Sequence, residues 1–152
     1  MKATIGIDPG TPSGVGVITD KDYWAYATGD CSIGECIAKE IEALEIEGYD
    51  VMVYLESVHS FPRQGVASAF KFGDSFGQSK GALDALKSSY RLVSPQKWQK
   101  TIMGLPKKTD GAAEHKRALK IEAQRRFPKC KPTLKTADGI LIAEYGHKER
   151  RC

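Results

Sequence analysis

Three acidic side chains are each set against an apolar element. Asp8 closes the run ATIGID and is followed at once by Pro9 and Gly10. Glu56 closes VMVYLE, and Asp138 lies in the first turn of ADGILIA. Carboxylates brought together beside apolar walls repel one another and raise each other's pKa, a conflict that a divalent cation removes. Hard oxygen ligands with no His or Cys beside them favour Mg²⁺ or Mn²⁺. Taken singly, each acid is also explained as a cap or turn residue, and Asp138 as a partner of a helix N-terminus. The three together point to a metal. Other acids, among them Glu40, Glu42 and Asp84, read as solvated helix faces.

For these acids to meet, the chain must place them on shared elements. Thr4 to Asp8, Gly14 to Thr19 and Tyr23 to Thr28 read as three short strands, joined by turn-rich PGTPS and by DKD into an antiparallel meander. Ser32 with Glu35 three residues on forms a capping box, and Ile37, Ile41 and Leu44 follow at helical spacing until Gly48. VMVYLE is apolar enough for a strand buried on both faces, and a helix between it and the meander implies that it lies parallel to the first strand. Alternation then puts Thr4, Gly6 and Asp8 on one face of their strand, and Met52, Tyr54 and Glu56 on one face of theirs. Asp8 and Glu56 would lie side by side at the strand ends, where open α/β sheets place their sites.

Downstream, Val66 to Lys87 reads as a helix whose apolar side is Ala69, Phe72, Gly73, Phe76, Leu83 and Leu86. Tyr90 to Val93 is a fifth strand, and Ser94-Pro95 opens a helix in SPQKWQKTI. AAEHKRALKIEAQRRF carries Leu119, Ala123 and Phe127 on one side, and TADGILIAEYGHKE forms the last helix. The order predicts one mixed α/β domain over residues 1–152, with a central sheet covered by helices. Trp98 reads as core or interface, and His115 and His147 as surface residues.

Composition bounds the function. The chain has 152 residues, 41% hydrophobic and 28% charged, with no apolar run of membrane-spanning length and no signal-peptide pattern at its start. A cytoplasmic protein is expected, with Cys31, Cys36, Cys130 and Cys152 as free thiols. The net charge of +4 hides an asymmetry. Residues 1–60 hold 3 Lys/Arg against 11 Asp/Glu, and residues 61–152 hold 20 against 8. Such a split suits a polyanion held on one face, and equally a solvated charged surface.

Four ordered blocks, GIDPGTPSGVGVI, VYLESVHSFPRQGVASAFKFGDSFG, VSPQKWQK and ADGILIAEYG, resemble the RuvC family of Holliday junction resolvases, most of all its short bacteriophage and prophage versions. The likeness spans nearly the whole chain. It implies an RNase H-like fold with a five-stranded mixed sheet flanked by helices, a homodimer, and cleavage of four-way DNA junctions with two Mg²⁺ or Mn²⁺ ions per site. It carries the family's catalytic and metal-binding acids onto Asp8, Glu56 and Asp138. Many members have a fourth acid where this chain has Lys135, so the ligand count of the second metal is left open. His59 stands where members often carry a base-contacting aromatic, with Phe61 close by. The resemblance also makes Phe61, Arg63, Lys100, Lys107, Lys108, Lys116, Arg117 and Lys120 candidates for DNA contact, with Lys116 beside the scissile phosphate.

Three other functions share parts of this pattern. An actin- or sugar-kinase-like phosphotransferase also begins with a GIDxGT-like strand and turn, but needs two such domains around its nucleotide. A junction-binding module without catalysis, and a nuclease for RNA strands on the same fold, differ from the leading reading only in what the protein cuts.

Overall fold

β1 (Lys2–Asp8), buried on both faces from Ala3 to Ile7, sets the sheet. Ala3, Ile5 and Ile7 enter one core, and Thr4, Gly6 and Asp8 face the other way. The computed structural model describes residues 1–57, 65–102 and 111–151. Around β1 stand β2 (Gly14–Thr19), β3 (Tyr23–Ala27), β4 (Asp50–Glu56) and β5 (Tyr90–Val93) in the order β3-β2-β1-β4-β5. The first three are antiparallel, and β4 and β5 run parallel to β1, as the intervening helix required.

Helices α1 (Ile33–Ile46) and α2 (Val66–Ala85) cover one face. The short α3 (Pro95–Gln99), α4 (Ala112–Arg126) and α5 (Ala137–Glu149) cover the other. Ile140, Leu141 and Ile142 of α5 are all but fully buried, each contributing about 1.5–3 kcal/mol by the burial of its side chain. Arg126 on α4 ties the two helices together, donating to Glu144 on α5 at 2.6 Å and to Glu122 at 3.0 Å.

Several local expectations change in the folded chain. Only half of the capping box forms: Ser32 accepts the Glu35 N–H, but the Glu35 carboxylate pairs with Lys39. Ser94 makes no side-chain cap to α3. Cys31 and Cys36 are joined in a disulfide across the start of α1 rather than standing as free thiols, because the helix turn brings residues five apart together. Cys130 is free, and Cys152 lies outside the described residues.

The buried stripe of α2 is Ser75, Ser79 and Leu83, with Phe76 half-buried. Phe72, Gly73 and Leu86 of the expected stripe are exposed instead, since small serines let this helix approach α1 and the turn after β1. His115 and His147 are buried rather than superficial. Each has a polar partner: Gln99 Oε1 at 3.2 Å for His115 Nε2, and Thr4 Oγ1 at 3.2 Å for His147 Nδ1. Glu40 is half-buried, not a solvated face, and accepts the Trp24 indole N–H at 3.2 Å. Asp84, exposed as expected, accepts the Tyr90 hydroxyl at 2.8 Å.

What positions the last helix is a pair of strand glycines. A Cβ on Gly6 would lie 2.3 Å from both Ala143 N and Gly139 O, and one on Gly16 would lie 2.3 Å from Ile140 Cα. The α5 backbone therefore rests directly on β1 and β2, a close approach of the kind that interior strand glycines mark. Gly6→Ala is expected to cost about 3 kcal/mol or more through overpacking against backbone, lowering the melting temperature by about 10 °C. Gly29→Ala, with nothing within 4 Å of the added methyl, should stay within about 0.5 kcal/mol. Thermal denaturation of the two variants checks the contrast.

Candidate active site at the strand ends

Parallel pairing aligns Gly6 with Tyr54 and Ile7 with Leu55, so the residues that follow, Asp8 and Glu56, end their strands next to each other. Both are half-buried. Asp138, in the first turn of α5, is 6% exposed. It reaches the same place because α5 lies flat on the Gly6 and Gly16 face. The three acids, far apart in sequence, thus interact within one site.

Their charges conflict. Burial, then the Glu56 and Asp138 charges, push the Asp8 carboxyl well above its ordinary range, and a hydrogen bond shared with Glu56 adds to this. Burial also raises Glu56, opposed by hydrogen bonds from the Trp98 indole and from Asp8. Among the described residues, Lys116 supplies the counter-charge: its Nζ donates to Asp138 Oδ2 at 3.0 Å. Burial works against that charge, but Asp138, Asp8 and Glu56 outweigh it and hold the ammonium above its usual pKa.

Acceptor capacity remains. Asp138 Oδ1 is buried and has no hydrogen-bond partner among the described residues. The donors are all carboxylate oxygens, the type that suits a hard divalent cation. Among the described residues, no three acid, histidine or cysteine side chains already close into a set that could hold a metal. The acids are gathered around the Lys116 ammonium, and ligating an ion would require that side chain to swing away. With 51% of it exposed, it has room to do so.

The other sequence candidates are more dispersed. Lys100, at the end of α3, and Arg117, on α4, are exposed, and Lys120 is half-buried. Phe61, Arg63, Lys107, Lys108 and His59 lie outside the described residues. Lys135 is exposed immediately before α5. Trp98, expected as core or interface, is fully buried, and it also donates to Glu56 Oε1 at 2.9 Å. Sequence reasoning missed that hydrogen bond, whose only signal was a tryptophan one short helix beyond a strand lying beside β4.

The turn after Asp8 is tied down: Gly10 N–H meets the Ser13 and Ser75 hydroxyls at 3.2 and 3.1 Å. A cleft of about 480 Å³ beyond this turn is lined by Gly10 to Ser13, Thr28 to Ile33, Asp74, Ser75 and Gln78, and contains none of the three acids.

No protein-family model matches the chain, and no curated protein does. Solved structures share its fold, among them two of RuvC. RuvC of Thermus thermophilus in complex with a Holliday junction substrate aligns with a TM-score of 0.65 at 17% identity, over 99% of this chain and 96% of that one. Another Thermus thermophilus RuvC structure gives 0.60 at 18% identity, over 98% and 95%. The five-stranded mixed sheet flanked by helices, the RNase H-like arrangement expected above, is therefore the fold of this protein.

The charge conflict has a measurable consequence without metal. Folded Asp8 holds its proton to higher pH than the unfolded chain, whose carboxyl has an ordinary value of 3.8. Stability contributed by the protonated form is thus complete below that value and lost as pH rises through the raised folded one. Asp8→Asn removes the loss. In a chelator at pH 8 it should melt about 3 °C or more above the wild type, the shift about 1 kcal/mol produces, and the difference should close near pH 4. Equal melting points at pH 8 would contradict the repulsion.

Proposed function

We propose that this protein is a divalent-metal-dependent endonuclease that hydrolyses branched DNA, four-way junctions first among its substrates, and acts as a homodimer. The observation that carries this reading is the meeting of Asp8, Glu56 and Asp138 with Lys116 at the strand ends. The fold it occurs on is shared with a RuvC solved on a Holliday junction. Val66 and Phe70, 86% and 76% exposed on α2, offer apolar surface for a second copy.

Metal ions held by the three carboxylates would supply two-metal hydrolysis, one activating the attacking water and the other stabilising the leaving 3′ oxygen. Mg²⁺, with Mn²⁺ as a substitute, suits the all-oxygen donors. The chain's own groups set the geometry. Strand pairing sets the backbones of Asp8 and Glu56 side by side, so that both side chains start from the same strand ends. Asp138 is fixed by the seat of α5 on the strand glycines, and its Oδ1 meets no hydrogen-bond donor among the described residues. Lys116, released from Asp138, can pair with the scissile phosphate, keeping the local charge near balance as DNA enters. Lys100, Arg117 and Lys120, with Lys107, Lys108, Phe61 and Arg63, would grip the strands around it.

The activity is tested on labelled four-way, three-way and linear DNA and on RNA–DNA hybrid. Wild-type protein with Mg²⁺ or Mn²⁺ should cut the branched forms. Asp8→Asn should bind a junction as two copies by native mass, yet lose about a thousandfold in cleavage, the several kcal/mol that ligation of a catalytic ion supplies. Undiminished cutting by this variant would overturn the assignment. Replacing Lys100, Arg117 and Lys120 together by Ala should weaken all DNA binding and flatten its dependence on log salt by up to about 3, near one for each phosphate no longer neutralised.

A further inference from the structure

We propose that Trp98 is a positioning residue for Glu56, committing one carboxylate oxygen so that the other stays directed at the metal. The inference rests on the function proposed above and concerns a residue that function leaves unassigned. Glu56 ends β4 on a side chain with three rotatable bonds, and freezing a side chain of that length costs rotamer freedom. A ligand free to rotate would meet that cost each time an ion binds. The Trp98 indole can meet it in advance. Its ring is wholly buried among Val93, Ile102, Leu119 and Ala123, and its N–H, a donor with no acceptor capacity, points at Glu56 Oε1 from 2.9 Å.

The support continues one residue further. Gln99, next to Trp98 on α3, meets His115 on α4 at 3.2 Å. Lys116, next to His115, donates to Asp138. Adjacent residues on each helix therefore do two jobs: one reaches an acid of the site and its neighbour links the helices. Before any ion binds, Glu56 and Asp138 are thereby referenced to one another through α3 and α4 as well as through the sheet. Groups that orient metal ligands in this way commonly change metal affinity by about 10–100-fold when removed.

The test replaces Trp98 site-specifically by benzothienylalanine, which keeps the ring shape and loses the N–H, beside the ordinary variant Trp98→Phe. Mn²⁺ binding is measured by calorimetry on the DNA-free protein, together with melting temperature and junction affinity. Mn²⁺ affinity should fall about tenfold in the benzothienyl protein, with junction affinity unchanged and melting within about 3 °C of the wild type. Trp98→Phe should show the same metal loss with a larger drop in melting temperature. Wild-type Mn²⁺ affinity in the benzothienyl protein would overturn the inference while leaving the nuclease reading intact, and Trp98 would be packing alone. A wild-type protein that binds no Mn²⁺ would overturn both.

Discussion

Helix α5 touches the sheet backbone to backbone because Gly6 and Gly16 put nothing between them, and everything at the active end depends on that approach. A helix resting on ordinary side chains would stand several ångströms higher, and Asp138 would clear the carboxyls of Asp8 and Glu56. The same packing buries Ile140, Leu141 and Ile142 in one core layer. It also leaves Gly146 with space only for the ring of Tyr54. Stability and site geometry are thus set by one packing plane, with the charged end of the helix carried into place by its apolar body.

Gathering three carboxylates on an apolar frame costs free energy that the protein must offset somewhere. Strand pairing forces Asp8 and Glu56 together, burial removes the water that would screen them, and a shared hydrogen bond is the local compromise. Lys116 is the larger compensation. Its ammonium sits against Asp138 and within electrostatic reach of the other two acids, so it stands where a cation is wanted. Arg126, bridging Glu122 and Glu144, holds α4 against α5 and keeps that lysine at hand. The basic residues Lys116, Arg117 and Lys120 on α4 then continue outward from a site that is itself acidic.

Departures from the sequence reading have a common cause. His115, His147 and Glu40 sit on helices whose charged neighbours made them look solvated, yet the histidines are buried and Glu40 is half-buried, each against a polar partner from another element. On α2, Ser75 and Ser79 face inward beside the half-buried Phe76, while Phe72 stays exposed, because hydroxyls of Ser75 and Ser13 bind each other and the Gly10 N–H across the turn after β1. Cys31 and Cys36 lack any recognisable pairing motif, and the first turn of α1 brings them together. Helical periodicity reports which residues share a side. Which side faces inward is decided by what lies opposite.

The order and type of the elements, the parallel placement of β4 beside β1, and the two acids at their ends were all legible in the amino-acid order. These follow from short-range causes: alternation, turn residues and the need for a crossover between parallel strands. Asp138 was marked there too, as a charge opening an apolar helix. Folding in three dimensions was needed to lay Asp138 over the other two acids, to close the group with Lys116, and to aim the Trp98 indole at Glu56. Those pairings join residues 22 to 42 or more positions apart, and no local period records them. They arise from how closely two layers approach, a distance set here by the absence of side chains at two glycines.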